Sequence, residues 1–361
     1  APRSVRPISK ADGTDAGWSG DGKFCVMLGQ IYPTTGANGL WVFALVTLAI
    51  GGAAARKFVA SGHDVRAMSR SEKSDVAIRA LGATPVRCDL ENITAADIGD
   101  AEAILHCAAF VEQWGPRDAW KRFNVDGTAA MLATAREAGA SRFIHISTES
   151  VLWRGQHLRD VDETYPLAPN SPYPYSWTKA RAELLVTAAN APAFTSIILR
   201  PRFIWGPGDT TLLPVIRKMA ASGQWMWVGG GGARTSTTHI DNLVHAIELA
   251  LTRGRGGEAY FVLDDGVHTI KQMISGIAAT ENIILPDKSI PTWLADAIGG
   301  ACELIWGTFG LRSEPPLTRF SAMIMSRECV LRDAKARADL GYRPLVSVGD
   351  GLRNLASGAR G

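Results

Sequence analysis

A regular alternation of strand-like and helix-like segments between residues 53 and 263 constrains the fold of this chain more than any other feature. The strand-like segments are short apolar runs at 64–70, 84–87, 103–107, 142–147, 196–199 and 259–263. The helix-like segments between them cover 53–61, 74–81, 120–138, 175–186 and 239–251. Strands that alternate with helices require right-handed crossover connections, which place the strands side by side in parallel. The sequence therefore predicts an α/β fold with a doubly wound parallel sheet of the Rossmann type.

The alternation loosens after Arg200, where prolines and the glycine run 229–232 interrupt it. The first residues of the chain are polar and lack an apolar period, which is typical of a disordered segment. We therefore predict a disordered tail at 1–22, a Rossmann domain at 23–204 and 235–264, and a smaller, mostly C-terminal substrate-binding domain at 205–234 and 265–361.

Composition excludes several classes of protein. The chain has 361 residues and a net charge of +3 with mixed signs, so it lacks the basic footprint of a nucleic-acid-binding protein. The histidines form no close-spaced ligand set, and we predict no metal site; His106 and His145 lie in apolar runs and are expected in the core. The cysteines show no metal or redox spacing, which favours a reducing cytoplasm: Cys25, Cys88, Cys107, Cys302 and Cys329.

Tyr175 and Lys179 are the first candidates for chemistry. They lie four residues apart near the start of a predicted helix, so their side chains share one face. A tyrosine hydroxyl, with a pKa of roughly 10, is a poor base at neutral pH. An ammonium group one turn away favours the phenolate, and we expect Lys179 to lower the pKa of Tyr175 so that the pair can move a proton. The alternative is a chance pairing on a helix face.

Several motifs in order resemble the extended short-chain dehydrogenase/reductase family, in its 3-beta-hydroxysteroid dehydrogenase and nucleotide-sugar epimerase/dehydratase branches. Tyr175 and Lys179 match the Tyr-x-x-x-Lys pair of that family. The other matching stretches are His145–Val151, Asn124–Thr128, Leu199–Asp209, His239–Asn242 and Leu340–Pro344. The resemblance covers residues 50–352 and implies an enzyme that interconverts a secondary alcohol and a ketone with NADP or NAD.

The resemblance implies catalytic roles for four residues. Tyr175 exchanges the proton of the substrate hydroxyl, and Thr148 holds the substrate oxygen, for which Ser147 is the alternative if the strand register slips by one residue. Thr148 could instead be a turn cap. Lys179 also bonds the nicotinamide ribose, and Asn124 is expected to hold the backbone near Lys179.

The cofactor is expected at the carboxyl ends of the strands, where ligands bind in such sheets. The predicted cofactor-binding residues there are Asp89, Leu90, Ala108, Ala109, Tyr175, Lys179 and Pro201. Arg70 ends the predicted strand 64–70, where NAD-specific proteins place an acid, so we predict NADP, with Arg70 pairing with the 2′-phosphate. The alternatives are NAD and a solvated surface arginine.

The glycine-rich phosphate loop is interrupted. We predict Gly36, Gly39 and Gly51 as the cofactor glycines, with residues 41–49 inserted between them. The apolar stretch 39–55 is long enough to raise a membrane span as one alternative. A shifted reading frame before residue 50 is another.

The substrate is expected to be apolar and sterol-like. Two apolar segments, 291–298 and 301–306, together with Trp153, Trp225, Met226 and Trp227, are predicted to supply its wall. The same residues could instead form a core or a peripheral membrane patch. Further partners are not expected beyond a second copy of the chain in a homodimer.

Two other functions stay open. Glu149, directly after Thr148, stands where family dehydratases carry an acid, which keeps a nucleotide-sugar epimerase or dehydratase possible. The interrupted glycine loop keeps a non-catalytic NAD(P)-binding protein possible.

Overall fold

The structure is a computed structural model that describes residues 23–27, 46–112, 114–209, 212–311 and 313–358. The predicted tail at 1–22 lies outside these residues. The strands are β1 Lys23–Met27, β2 Asp64–Ser69, β3 Thr84–Arg87, β4 Ala103–His106, β5 Arg142–Ile146, β6 Leu158–Val161, β7 Thr195–Pro201, β8 Ile204–Trp205, β9 Trp227–Val228, β10 Arg234–Thr235, β11 Thr238–His239, β12 Ala259–Val262, β13 His268–Thr269, β14 Ser289–Ile290 and β15 Cys329–Leu331.

Helices connect most of these strands. They are α1 Val46–Ala60, α2 Glu72–Ala80, α3 Ala95–Ile98, α4 Arg117–Trp120, α5 Gly127–Glu137, α6 Pro174–Ala188, α7 Leu212–Ala221, α8 Ile240–Thr252, α9 Ile270–Ala279, α10 Thr292–Thr308, α11 Arg319–Ser326, α12 Ala334–Asp339 and α13 Val348–Ala356. A turn of π-helix at Lys121–Asp126 joins α4 to α5, so the single helix predicted at 120–138 has three parts.

The main sheet has seven parallel strands in the order β12-β7-β5-β4-β1-β2-β3. The strand order runs outward from β1 in both directions, which is the arrangement of a doubly wound sheet. This topology confirms the predicted α/β fold of the Rossmann type. The order reverses between β1 and β4, and ligands bind in the crevice at the carboxyl ends on either side of such a point.

The sheet is covered on both faces by helices, as its apolar strands require. On one face α1 and α8 pack through Phe58, Leu243 and Ile247. On the other face α5 and α6 pack through Met131 and Val186. The buried helices and strands hold the carboxyl edge of the sheet rigidly, and that edge carries the site described below.

A second sheet has the order β13-β10-β15-β6 and lies with the C-terminal helices. Two segments pack across the predicted domain boundaries. Strand β6 falls in the predicted Rossmann range but pairs with β15, which falls in the predicted substrate-binding range. Leu340 and Tyr342 also fall in the predicted substrate-binding range, but they are buried in the hydrophobic core that the main sheet forms with α1 and α8. The division into two domains stays a prediction.

The apolar stretch 39–55 is described from residue 46 onward, where it forms the first part of α1. Ala54 and Ala55 are fully buried against the sheet, so their apolar character is explained by the core. Among the described residues, no helix has both the length and the apolar character that crossing a membrane requires.

Candidate active site

A pocket opens at the carboxyl ends of β4, β5 and β7. Helix α1 contributes to its wall through Ile50, and the segments after the strands supply most of the rest. The lining residues are Ile50, Cys107, Ala109, Val111, Ile146, Ser147, Thr148, Glu149, Ser150, Tyr175, Lys179, Pro201, Arg202, Phe203 and Ile204. The pocket therefore brings together Thr148, Tyr175 and Lys179, as the motifs predicted.

Tyr175 and Lys179 lie one turn apart near the start of α6. Pro174 occupies the first turn of this helix, where a backbone N–H would have no hydrogen-bond partner within the helix, so the N–H that proline lacks is not needed. The Nζ atom of Lys179 donates to the carbonyl oxygen of Ile146 at 2.8 Å and lies 3.2 Å from Nε2 of His145. These contacts fix the lysine against the end of β5. Burial lowers the pKa of Lys179 to about 8, while the carboxylate of Glu183 opposes this shift.

The prediction that Lys179 lowers the pKa of Tyr175 is wrong in this structure, where that pKa is raised. Burial raises the pKa of the Tyr175 hydroxyl, and the nearby carboxylate of Glu149 raises it further. A hydrogen bond with the side chain of Thr148 acts in the opposite direction. The physical reason is the position of the amine, which the carbonyl of Ile146 and the ring of His145 hold at the end of β5.

Thr148 lies two residues after the end of β5 and caps a short 3₁₀ turn at Glu149–Leu152. Its Oγ1 atom accepts a hydrogen bond from the N–H of Ser150 at 3.1 Å and donates to Oε2 of Glu149 at 2.8 Å. It therefore caps a turn, as the alternative interpretation expected, and it also lines the pocket with Tyr175. The alternative residue, Ser147, lines the same pocket but donates to Oε2 of Glu183 at 2.6 Å. Of the two side chains, only that of Thr148 acts on the pKa of Tyr175, which it lowers.

Glu149 forms a buried ion pair that the sequence analysis did not foresee. Its Oε1 atom lies 2.6 Å from Nη1 of Arg202, and both side chains are almost completely buried. Burial alone would lower the pKa of Arg202, but the Glu149 carboxylate outweighs it and raises the pKa. The pair lies directly beside Thr148 in the pocket lining. In the sequence, Arg202 is one of two arginines in the Leu199–Asp209 motif. A charged residue next to the end of an apolar strand was the only sequence feature that could have indicated its place in the site.

Asn124 clamps two elements from within the π-helical turn. Its Oδ1 atom accepts from the N–H of Phe110 at 2.6 Å, and its Nδ2 atom donates to the carbonyl of Phe110 at 3.0 Å and to Oγ1 of Thr178 at 3.1 Å. Thr178 precedes Lys179 on α6. Asn124 therefore ties the segment after β4 to the helix that carries the catalytic pair, and π-turns often occur at such sites.

His106 and His145 are fully buried and stacked, with ring centroids 5.2 Å apart. Burial lowers the pKa of both rings, and the charge of Lys179 adds to this effect. Both rings are therefore neutral. They are core residues that also contact the site, because His145 borders Lys179 and His106 contacts Thr128 at 3.0 Å.

The remaining predicted cofactor residues lie around the same edge of the sheet. Ala109 and Pro201 line the pocket, whereas Ala108 is buried in the core beneath it. The carboxylate of Asp89 accepts from the N–H groups of Glu91 and Asn92, and Leu90 is buried close to Gly127. The contacts of these residues with a cofactor stay predictions.

Arg70 is exposed directly after β2, the strand next to β1. Gly51 is buried within α1, five residues after the first described residue of that helix. Gly36 and Gly39 lie outside the described residues. The roles of these three glycines stay predictions.

The pocket fits a nicotinamide dinucleotide by the chemistry of its lining. It extends from α1 to the catalytic pair, and the small side chain of Ala109 leaves the space beside β4 open. The amine of Lys179 has one more N–H than its two contacts use, and it would hold a ribose hydroxyl. Arg70 stands at the carboxyl end of β2, where the adenosine ribose of such a cofactor would be held.

The predicted apolar wall is wrong for most of its members. Trp153, Trp225 and Trp227 are buried in hydrophobic cores, and none of the three lines the described pocket. The two segments at 291–298 and 301–306 belong to α10, one side of which faces solvent. These three tryptophans pack in hydrophobic cores. Composition alone cannot distinguish a tryptophan that packs in a core from one that contacts a ligand.

Comparison with known proteins identifies the same family as the motifs. The model of the NAD dependent epimerase/dehydratase family matches residues 46–262. The crystal structure of a UDP-glucuronic acid 4-epimerase from Bacillus cereus in complex with NAD has a TM-score of 0.66 and 20% identity, covering 94% of this chain and 100% of that one. At this identity the likeness shows the shared fold.

Curated relatives extend the match over most of the chain. A 4-hydroxy-2-methyl-3-oxo-4-farnesyl-3,4-dihydroquinoline-1-oxide ketoreductase from Stigmatella aurantiaca is 38% identical, over 82% of this chain and 90% of the relative. A 2-alkyl-3-oxoalkanoate reductase from Stenotrophomonas maltophilia is 35% identical, over 85% and 95%. A decarboxylating sterol-4-alpha-carboxylate 3-dehydrogenase from Dictyostelium discoideum is 27% identical, over 83% and 94%. These matches confirm the predicted resemblance to the hydroxysteroid dehydrogenase branch.

Proposed function

Since the chain belongs to the NAD-dependent epimerase/dehydratase family and is an NAD(P)-dependent oxidoreductase of the extended short-chain type, we propose that it interconverts a secondary alcohol and a ketone on an apolar substrate, with NADP as cofactor. The observation that carries this proposal is that Tyr175, Thr148 and Lys179 line one pocket at the carboxyl end of β5. The two hydroxyls can both contact one substrate oxygen.

The chain supplies position and proton transfer. Thr148 exchanges its hydrogen bond to Glu149 for one to the substrate oxygen, and Tyr175 takes the hydroxyl proton in oxidation or returns it in reduction. The bound nicotinamide supplies the hydride chemistry. Lys179 would hold the ribose, and its positive charge there would favour the phenolate form of Tyr175 and offset the burial that raises the pKa of this hydroxyl.

NADP is proposed over NAD because of Arg70. It is exposed at the end of β2, and an arginine fork binds a phosphate through paired charge-assisted hydrogen bonds. No acidic residue occupies the two positions that end this strand, Ser69 and Arg70.

An apolar substrate is proposed from the relatives. Their names specify a farnesylated quinoline, an alkyl oxoalkanoate and a sterol, which share a large hydrocarbon part. In this chain the pocket includes the apolar side chains of Ile50, Val111, Phe203 and Ile204. Such a lining suits a hydrocarbon skeleton.

Helix α10 supports a peripheral contact with a lipid surface. Trp293 and Leu304 are 69 and 71% exposed, and with Ala297 and Ala301 they form one stripe along the helix. Phe309, the residue directly after the helix, is 73% exposed. No charged residue occurs in this stripe, so a lipid surface fits it better than a charged protein partner. The segment after α10 contacts the loop that follows β4, because Trp114 of that loop donates to the carbonyl of Leu311 at 3.1 Å. Val111 of the same loop lines the pocket. We also propose a homodimer, which sedimentation analysis tests.

The dehydratase alternative has less support. A dehydratase needs an acid at Glu149, but this carboxylate is ion-paired with Arg202 and accepts a hydrogen bond from Thr148. Both oxygens of Glu149 are therefore already engaged by side chains of this protein. The assembled Tyr175, Thr148 and Lys179 also argue against a purely binding function.

The test is a substrate panel assayed with both cofactors. Hydroxysteroids, long-chain 3-hydroxy compounds and nucleotide sugars are incubated with the purified chain, and NADPH or NADH is followed by absorbance. Stoichiometric cofactor reduction with an apolar alcohol is expected. Activity confined to nucleotide sugars, or turnover without net change in the cofactor, would overturn the proposal.

A further inference from the structure

The guanidinium group of Arg202 is buried in the pocket wall with one nitrogen unused. Its Nη1 atom pairs with Glu149, and its Nε atom donates to Oγ1 of Thr235 at 3.2 Å. Its Nη2 atom is buried and has no hydrogen-bond partner among the residues that the structure describes. Only 2% of the side chain is exposed.

An unpartnered donor on a buried charged group indicates a missing acceptor. In native proteins nearly all buried donors have a partner, because a buried donor without one loses the hydrogen bond that it forms with water in the unfolded chain. The comparison with Arg200 is informative. Arg200 forms the equivalent buried pair with Glu183 and also has an unused nitrogen, but it stacks over the ring of Phe261 at 5.5 Å and does not line the pocket.

Glu149 places this guanidinium beside the reacting oxygen. One oxygen of the Glu149 carboxylate accepts from the Thr148 hydroxyl, and the other pairs with Arg202. A single carboxylate group therefore separates the hydroxyl that holds the substrate oxygen from the nitrogen next to the unused donor. A second oxygen-bearing group two carbons from the reacting carbon would reach Arg202 while the first stays on Thr148.

We propose that Nη2 of Arg202 anchors a carboxylate of the substrate, so that the preferred substrates are 3-hydroxy acids and the corresponding 3-oxo acids. This inference rests on the proposed function and names its substrate class. A carboxylate binds arginine through strong charge-assisted hydrogen bonds, and the Nη2 atom of Arg202 has two N–H groups that can donate to it. Glu149 holds the guanidinium in place through Nη1, so the Glu149 carboxylate and the substrate carboxylate accept hydrogen bonds from different nitrogens of Arg202. Arg202 is then a specificity residue, and Glu149 is its positioning residue.

The test compares a 3-hydroxy acid with its ester, using 3-hydroxydecanoate and its methyl ester with NADP. The ester keeps the carbonyl acceptor and the chain but loses the charge. We expect kcat/KM of the natural chain to favour the acid by about tenfold or more, the size of one charge-assisted hydrogen bond. Equal use of acid and ester overturns the proposal.

The double variant Arg202→Met with Glu149→Gln removes both charges, so no unpaired charge is left in the core. The acid-to-ester ratio is expected to fall to about one in this variant. The matched control is Arg200→Met with Glu183→Gln, a buried pair of the same kind outside the pocket, in which the ratio is expected to stay as in the natural chain. A preference for the acid that survives in the first variant overturns the proposal.

A further measurement separates this inference from the proposed function and does not need a folded variant. Decanoate and decanol are titrated into the unmodified chain with NADPH bound, and protein fluorescence is followed. Tighter binding of decanoate is expected, and equal binding overturns the carboxylate anchor. If no alcohol or ketone in the panel is turned over, the proposed function fails, whereas the binding comparison still decides the role of Arg202.

Discussion

The Nζ atom of Lys179 lies 2.8 Å from the carbonyl oxygen of Ile146, so helix α6 is tied to the last residue of β5. Thr148 follows Ile146 by two residues. Together with the hydrogen bond from Ser147 to Glu183, this contact holds the helix that carries Tyr175 against the segment that carries Thr148. It also keeps the amine in a buried position, where its charge is costly.

The first prediction is a pH dependence of stability caused by Lys179. Burial lowers its pKa from 10.5 to about 8 in the folded state. Below pH 8 both states hold the proton; above it the folded state releases the proton first, so the free energy of unfolding rises with pH up to the pKa of the unfolded chain. Relative to Lys179→Met, the natural chain should gain about 2 kcal/mol between pH 7 and pH 9.5. Denaturant unfolding of both chains without cofactor measures this difference, and a difference that stays flat contradicts the prediction.

The second prediction concerns Tyr175→Phe. This change keeps the ring, which packs against Phe320 at 6.1 Å, and removes only the hydroxyl. The rate should fall by about 10²–10⁴-fold, the usual contribution of general acid–base catalysis, while the melting temperature stays close to that of the natural chain. The control is Tyr173→Phe on the same helix entrance, which should keep its rate. A near-normal rate for Tyr175→Phe would remove the tyrosine from the mechanism.

The third prediction concerns the clamp formed by Asn124. In Asn124→Ala the N–H and the carbonyl of Phe110 lose their partner, and Thr178 loses one contact. The free energy of unfolding should fall by about 2–4 kcal/mol, because buried donors and acceptors are left unsatisfied. Asn92→Ala, which removes an acceptor in an exposed turn, should cost about 1 kcal/mol or less. Equal losses for the two variants would show that Asn124 is not a clamp.

The fourth prediction concerns cofactor choice. Arg70→Ala should weaken NADPH binding by about tenfold and leave NADH binding within about twofold, because only NADPH carries the 2′-phosphate. Arg79→Ala, an exposed arginine on the neighbouring helix α2, serves as the control and should change neither. Nicotinamide fluorescence titration measures both affinities. Tighter binding of NADH that is insensitive to Arg70→Ala argues for NAD.

The fifth prediction concerns the exposed stripe of α10 and Phe309, which directly follows the helix. Leu304→Glu with Phe309→Glu should abolish binding to phosphatidylcholine vesicles in a flotation assay, since two charges then face the hydrocarbon region. The control is Ile284→Glu with Leu345→Glu, which places the same charges on exposed apolar residues outside the stripe. Vesicle binding that is equal in the two variants, or absent from the natural chain, refutes the lipid contact.

The sequence by itself predicted the parallel α/β sheet from Asp64 onward and the shared helix face of Tyr175 and Lys179, but not β1, the strand at the centre of the sheet. Strands and helices follow from local periodicity, and Tyr175 and Lys179 share a face because helix geometry places residues four apart together. Thr148 could be placed at the pocket because strand ends of parallel sheets meet at one edge. These inferences needed only neighbours in the chain.

The tertiary structure decided which charges and rings surround the site. The pair Glu149–Arg202 joins residues 53 positions apart, and its burial depends on how β5 and the segment after β7 meet. The same is true of the pKa of Tyr175, which depends on burial and on Glu149, and of the tryptophans, which fill cores away from the described pocket. Contacts and desolvation between distant segments have no local signature in the chain, so only the folded structure could reveal them.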